Sequence, residues 1–194
     1  MNKEELIAFE QEIAEDFAAG KIAAPVHLSG GNEDKLIEIF KKITPDDYVL
    51  GTWRSHYHCL LKGVPRETLK KKIHAGRSIG LCFPETRILC SALVGSIAPI
   101  AVGIAWAVKK AGGKEKVWCF LGDMGARTGI VNECARYAAG FELPVVWIIE
   151  NNGKSVTTDT KEVWGDKDVP VLNFLQYEYE LTYPHVGIGQ HVSF

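Results

Sequence analysis

The chain has 194 residues, 46% of them apolar and 24% charged, with a formal net charge of −2. This is the make-up of a soluble globular protein large enough for a real core, and it lacks the clustered basic footprint of a nucleic-acid binder. Five cysteines (Cys59, Cys82, Cys90, Cys119, Cys134) form an odd set without a C-x-x-C pair, so reduced, mostly buried thiols in a cytoplasmic protein are expected rather than a disulfide framework.

Residues 3–19 are predicted to be helical, with Leu6, Phe9, Ile13 and Phe17 at helical spacing and Gly20 as terminator. This start is charged and amphipathic, unlike a secretory signal. A loop carrying His27 and Gly30-Gly31 leads to a predicted helix over 33–43, whose apolar face is Leu36, Ile37, Ile39 and Phe40. After the turn Thr44-Pro45-Asp46-Asp47, residues 48–53 read as a strand running into Trp53-Arg54-Ser55-His56. On a strand His56 and His58 would share one side, but no third ligand stands at a metal-site spacing. Residues 65–74 form a short helix opened by Pro65, with Lys70-Lys71-Lys72 as a solvated face.

Residues 76–87 read as irregular, 87–90 as a short strand and 95–111 as a helix. The uncharged run 88–108 has the length of a membrane span. It contains Ser91, Gly95, Ser96, Pro99 and Gly103 and leads straight into an α/β pattern, so a buried helix and no membrane insertion are expected.

Two apolar runs, 117–121 and 145–149, flank a predicted helix with Ile130, Cys134, Ala138 and Phe141 on one face and Glu133 and Arg136 elsewhere. The first run ends in Gly122-Asp123-Met124-Gly125 and the second in Glu150-Asn151-Asn152-Gly153. A strand–helix–strand unit makes the two strands parallel neighbours with a right-handed crossover. Their carboxyl ends then open on the edge where α/β sheets bind ligands, which brings Asp123 and Asn152 together. Residues 157–168 read as polar loop, and 169–179 hold a final strand or short helix. His185 and His191 are expected at the surface or a subunit contact, and Trp106, Trp118 and Trp147 in packing. With no repeat, low-complexity stretch or linker, 1–194 reads as a single α/β domain with a mostly parallel central sheet and helices on both faces.

The chemistry suggested by this edge is a hard cation holding a phosphate. Asp123 offers a charged oxygen, Asn152 a neutral one and the Lys154 carbonyl a third, a donor set suited to Mg²⁺. Gly122 lets a diphosphate approach the backbone, and the amides around 125–129 open a helix. The same residues allow a plainer reading, with Asp123 as an N-cap and Asn-Asn-Gly as a turn. A dinucleotide site would need G-x-G-x-x-G, and the chain has G-D-M-G-A-R-T-G.

Taken together, these residues resemble a known family. Gly122-Asp123 followed by Asn151-Asn152 resembles the G-D-G…N-N motif of thiamine diphosphate enzymes. The residues between (Gly129, Glu133, Ala138-Ala139, Leu143-Pro144) are similar to the alpha subunit of the dehydrogenase, or first, component of 2-oxo acid dehydrogenase complexes. Upstream, His27 through Glu33 resembles its H-x-x-x-G-Q-E segment, Asp47 through His56 its D-x-x-x-x-x-x-R-x-H segment, and Val94-Gly95, Pro99, Gly103 and Ala105 its I-V-G-x-x-x-P-x-x-x-G-x-A helix. The likeness covers about residues 25–155.

The resemblance implies a diphosphate-binding fold and a set of roles. Asp123, Asn152 and the Lys154 carbonyl hold Mg²⁺. Arg54 contacts the diphosphate of thiamine diphosphate with aromatic Trp53 beside it, and Gly122, Met124 and Gly125 line it. The backbone at Val94 meets the aminopyrimidine, and His27 and His56 stand at the reacting centre. It also implies a separate beta-type, pyrimidine-binding subunit, in a heterodimer or heterotetramer, and a 2-oxo acid or ketose substrate. A transketolase-like half-subunit and a catalytically silent module of the same fold are the alternatives. Met124 departs from the second motif glycine, and its amide contact requires a negative φ. Arg136 stands where the family often has Asn, and Ser78-Ile79-Gly80 replaces an S-M-H element. The family's later lid segment has no counterpart, so a short form is expected.

Overall fold

The computed structural model describes residues 1–165 and 174–183; His185, His191 and segment 166–173 lie outside the described residues. In chain order the elements are α1 (Lys3–Ala18), α2 (Glu33–Phe40), β1 (Tyr48–Gly51), α3 (His56–Leu61), α4 (Arg66–Lys72), β2 (Cys82–Phe83), β3 (Ile88–Cys90), α5 (Ile97–Lys110), β4 (Val117–Gly122), α6 (Asp123–Ala126), α7 (Gly129–Gly140), β5 (Val145–Asn151), β6 (Lys154–Ser155), β7 (Thr158–Asp159), α8 (Thr160–Trp164) and β8 (Leu175–Glu178). A six-stranded sheet runs β2-β3-β1-β4-β5-β8, and a small hairpin pairs β6 with β7. Among the described residues only β2 runs antiparallel in the large sheet. The α/β reading with a mostly parallel sheet holds.

Burial follows from strand β4. Trp118 and Phe120 point into one core with α1, α2, α3 and α4, while Val117, Cys119 and Leu121 point into the other with α5 and α7. Both faces are covered, which is why this strand is continuously apolar instead of alternating. α1 begins with a reciprocal cap: Glu5 N donates to Asn2 Oδ1 at 2.9 Å, and Asn2 N donates to Glu5 Oε2 at 2.8 Å. α5 forms over the uncharged run but is buried on one face only, with Ile97, Ala98, Ala101, Ala105 and Val108 in the core and Pro99, Ile100, Gly103 and Ala107 exposed; no helix among the described residues is long and apolar enough to cross a membrane.

Several local expectations are corrected. β1 stops at Gly51, where a Cβ would lie 2.3 Å from Ser55 Oγ, because the chain doubles back into α3. His56 and His58 therefore sit on a helix, about 200° apart around its axis, and face different surroundings. Residues 76–87 include strand β2, which pairs with β3 through Cys82–Leu89 and Phe83–Ile88. On α7 the buried face is Val131, Cys134, Ala135 and Ala138, while Ile130 and Phe141 are 44% and 47% exposed. Phe141 lies beyond the last helical residue and packs at a tilt against Tyr137 and Trp106 at the surface. Cys82 is exposed, and the other four cysteines are buried; all five are free.

The strand order has one functional consequence. From β1 the chain moves outward to β3, then returns by α5 across β1 to β4 and continues to β5. Loops leaving β1 and β4 therefore diverge, opening a crevice at their carboxyl ends.

Candidate active site

A cleft opens at this switch point. Thr52, Trp53 and Arg54 enter from the end of β1, and Gly122 through Gly125 from the end of β4. Asn152 and Lys154 enter from the end of β5, Tyr179 from the end of β8, and Val94 and Gly95 from the loop before α5. The residues read from sequence as Trp53, Arg54, Val94, Gly122, Asp123, Met124, Gly125, Asn152 and Lys154 thus share one cavity wall.

Asp123 is buried at the head of α6, one place after its N-cap Gly122, so it is not itself the cap. Thr160 Oγ1 donates a short hydrogen bond to its Oδ2. Burial raises the pKa of Asp123, and this outweighs the support its charge receives from Thr160 and from the backbone amides of Asp123, Asn152 and Met124. Asn152 forms a local turn, with Lys154 N donating to its Oδ1 at 3.0 Å, while its Nδ2 donates to Tyr179 Oη at 3.2 Å. The plain turn and a ligand role are compatible, because an amide oxygen has a second lone pair.

Arg54 is almost entirely buried and donates from Nη1 to the Leu28 carbonyl at 2.8 Å. Burial lowers its pKa against the opposing influence of Tyr179, Glu10 and Glu150. Trp53 Nε1 is buried and has no hydrogen-bond partner among the described residues. The His27 ring meets the Trp53 ring edge-on at 6.2 Å, so His27 stands behind the cleft wall. His56 lies deeper. It is fully buried, with Nε2 2.9 Å from Ser78 Oγ and Nδ1 3.4 Å from Glu10 Oε1, and it does not line the cleft. The two histidines placed together by sequence reading occupy separate environments.

Among the described residues no group of three or more His, Cys, Asp or Glu side chains could hold a metal. A cation here would depend on one carboxylate, one amide oxygen and one carbonyl, which matches the sparse protein donor set of Mg²⁺. A phosphate-bearing group also fits. At Gly122 nothing lies within 4 Å of a built Cβ, a buried guanidinium faces the cavity, and the Trp53 indole N–H lacks a partner.

The model of the family described as "Dehydrogenase E1 component" matches residues 1–167. The chain belongs to this family. Over 161 residues it is 32% identical to the alpha subunit of acetoin:2,6-dichlorophenolindophenol oxidoreductase of Cupriavidus necator, a match covering 77% of this chain and 48% of that protein. The corresponding subunit of Bacillus subtilis is 30% identical over 165 residues, covering 79% and 49%. The pyruvate dehydrogenase E1 component subunit alpha of Porphyra purpurea is 29% identical over 161 residues, covering 74% and 47%. The chain spans about half the length of these relatives.

Within this E1 component chain, Met124 has helical conformation and is not among the residues with positive φ. The condition set by its departure from glycine is therefore met. Trp164 Nε1 donates to Met124 Sδ at 3.1 Å.

Sequence reading passed over Glu150, Tyr177, Tyr179 and Thr160. Glu150 is buried at the end of β5 and accepts a short hydrogen bond from Tyr177 Oη. A charge closing an apolar strand was its signal. Thr160 opens α8, and Asp159, which accepts from Lys161 N at 2.8 Å, is its cap. The Asp159-x-x-Glu162 spacing is a helix-start pattern inside a segment read as loop.

Proposed function

We infer that this chain is the alpha-type portion of a thiamine diphosphate enzyme, the part that holds the cofactor diphosphate through Mg²⁺. With a separate beta-type, pyrimidine-binding subunit it acts on a 2-oxo acid, decarboxylating it or passing on its acyl or two-carbon unit. The observation carrying this reading is the meeting of Asp123, Asn152 and Arg54 in the switch-point cleft, from the ends of three different strands.

Each residue has a role. Asp123, Asn152 and the Lys154 carbonyl hold the metal. Arg54, desolvated and always charged, faces the diphosphate. Trp53 offers its unpartnered indole N–H at the same wall, and the backbone at Val94 and Gly95 meets the aminopyrimidine. His27, packed edge-on against Trp53 behind the cleft wall, is the remaining histidine assigned to the reacting side of the site. When bound, thiamine diphosphate supplies a carbanion nucleophile and an electron sink. The helical conformation of Met124 favours a working site over a silent module. The free cysteines suit a reducing, cytoplasmic setting.

Calorimetry with thiamine diphosphate and Mg²⁺ tests this reading, on the chain alone and with a candidate beta subunit, followed by turnover of a panel of 2-oxo acids. Binding that is lost in Asp123→Ala is expected. Binding unchanged by that substitution, or absent in both settings, would refute it.

A further inference from the structure

The short helix α8 is attached to the Gly122–Gly125 loop at two successive residues of that loop. Thr160 Oγ1 donates to Asp123 Oδ2, and Trp164 Nε1 donates to Met124 Sδ at 3.1 Å. Thr160 is buried and is fixed from the other side, its N–H donating to the Gly153 carbonyl at 2.9 Å. The β6–β7 hairpin delivers it there through a turn in which Val156, a β-branched residue, takes φ +60°, a conformation such residues rarely adopt. Trp164, at the other end of α8, is 45% exposed, and its thioether contact ties that end to the loop.

We propose that Thr160 is a positioning residue for Asp123, and that Met124, standing where the family motif has glycine, keeps it in place by seating Trp164. This rests on the metal role proposed above for Asp123. A carboxylate binding a cation through one oxygen keeps its orientation when the other oxygen is hydrogen-bonded. Thr160 supplies that bond to Oδ2. Met124 supplies a soft, adaptable acceptor that glycine lacks. The departure from G-D-G is thus part of the site, and restoring glycine should weaken binding.

The test is calorimetric titration of Mg²⁺ into the full chain with thiamine diphosphate present, alongside the tryptophan emission of the metal-free chain, with Trp164→Phe assigning the Trp164 signal. Thr160→Val, close in shape, should bind about 10- to 100-fold more weakly, and Thr160→Ser should recover most of the loss. Met124→Gly should also bind more weakly and shift Trp164 emission to the red. Retained circular dichroism and melting temperature exclude unfolding as the cause. If the parent binds but Thr160→Val matches it, or Thr160→Ser is as weak as Thr160→Val, the positioning role is overturned and the cofactor reading stands. If Met124→Gly binds as well as the parent, the seat is overturned. If the parent binds neither alone nor with the candidate beta subunit present, the cofactor reading fails and the positioning role with it.

Discussion

His58 Nε2 lies 3.3 Å from Glu150 Oε1, joining α3 to the end of β5 beneath the cleft, with the histidine fully buried and Glu150 nearly so. Phe40 and Phe120 enclose the imidazole edge-on. Burial alone would lower the His58 pKa below 6.5, but the Glu150 carboxylate outweighs it and the value is raised. A folded pKa above the unfolded one contributes stability that is complete below about pH 6.5 and is lost as pH rises through the folded value. Glu150→Gln should cost about 3–5 kcal/mol where His58 is charged. Melting temperatures across neutral to alkaline pH should show the gap from the parent narrowing, and a gap independent of pH would remove this explanation.

Asp47 works at the opposite edge of the sheet. It accepts from Thr44 N at 2.9 Å, Lys116 N at 2.7 Å and Trp118 Nε1 at 3.1 Å, tying the starts of β1 and β4. Burial would raise its pKa, yet these donors together hold it below 3.8. Its contribution is therefore present above the unfolded value and lost as pH falls through the folded one. Asp47→Asn should lower stability at neutral pH by about 1–3 kcal/mol in urea unfolding, with the difference closing in acid.

Gly95 and Gly103 should respond in opposite directions to alanine. Gly95 has φ +77°, and a Cβ there would stand 2.8 Å from Ile130 Cγ2 on α7. Gly95→Ala should cost about 1–3 kcal/mol from backbone strain alone. Gly103 is exposed within α5 with nothing within 4 Å of a built Cβ. There alanine should stabilise by roughly 0.5–1 kcal/mol. Chemical unfolding of the two variants side by side measures both signs.

Arg54→Lys keeps the charge but loses the planar fork that matches phosphate oxygens. Losing a charge-assisted hydrogen bond corresponds to about 1.5–3 kcal/mol, or roughly 10- to 100-fold in affinity. Competition by inorganic pyrophosphate against thiamine diphosphate reads the change. Equal inhibition constants in parent and variant would place the diphosphate away from Arg54.

The match between sequence reading and structure differs by residue for physical reasons. Val117 through Leu121 is legible because an unbroken apolar run before Gly-Asp has few interpretations other than a strand buried on both faces. The helix that carries His56 and His58 is not legible, because nothing local shows that β1 must stop at Gly51, where the returning Ser55 side chain occupies the space of a Cβ. The α7 face was read one residue out at Ile130, whose side chain packs toward Gly95, a contact set by the approach of α5 to α7.

By itself the sequence determined the α/β class, the parallel β4–α7–β5 unit and the convergence of Asp123 with Asn152. These follow from periodicity, from turn chemistry and from the handedness of crossovers, which are local or nearly so. Only the tertiary structure decided that β1 lies between β3 and β4, which makes the switch-point crevice and puts Arg54 in it. It also separated His27 from His56 and placed Glu150 against His58. Finally, it brought Thr160 and Trp164 back onto Asp123 and Met124. Those relationships join residues far apart in the chain, and they depend on which surfaces the packed sheet leaves for each side chain, which no spacing along the sequence encodes.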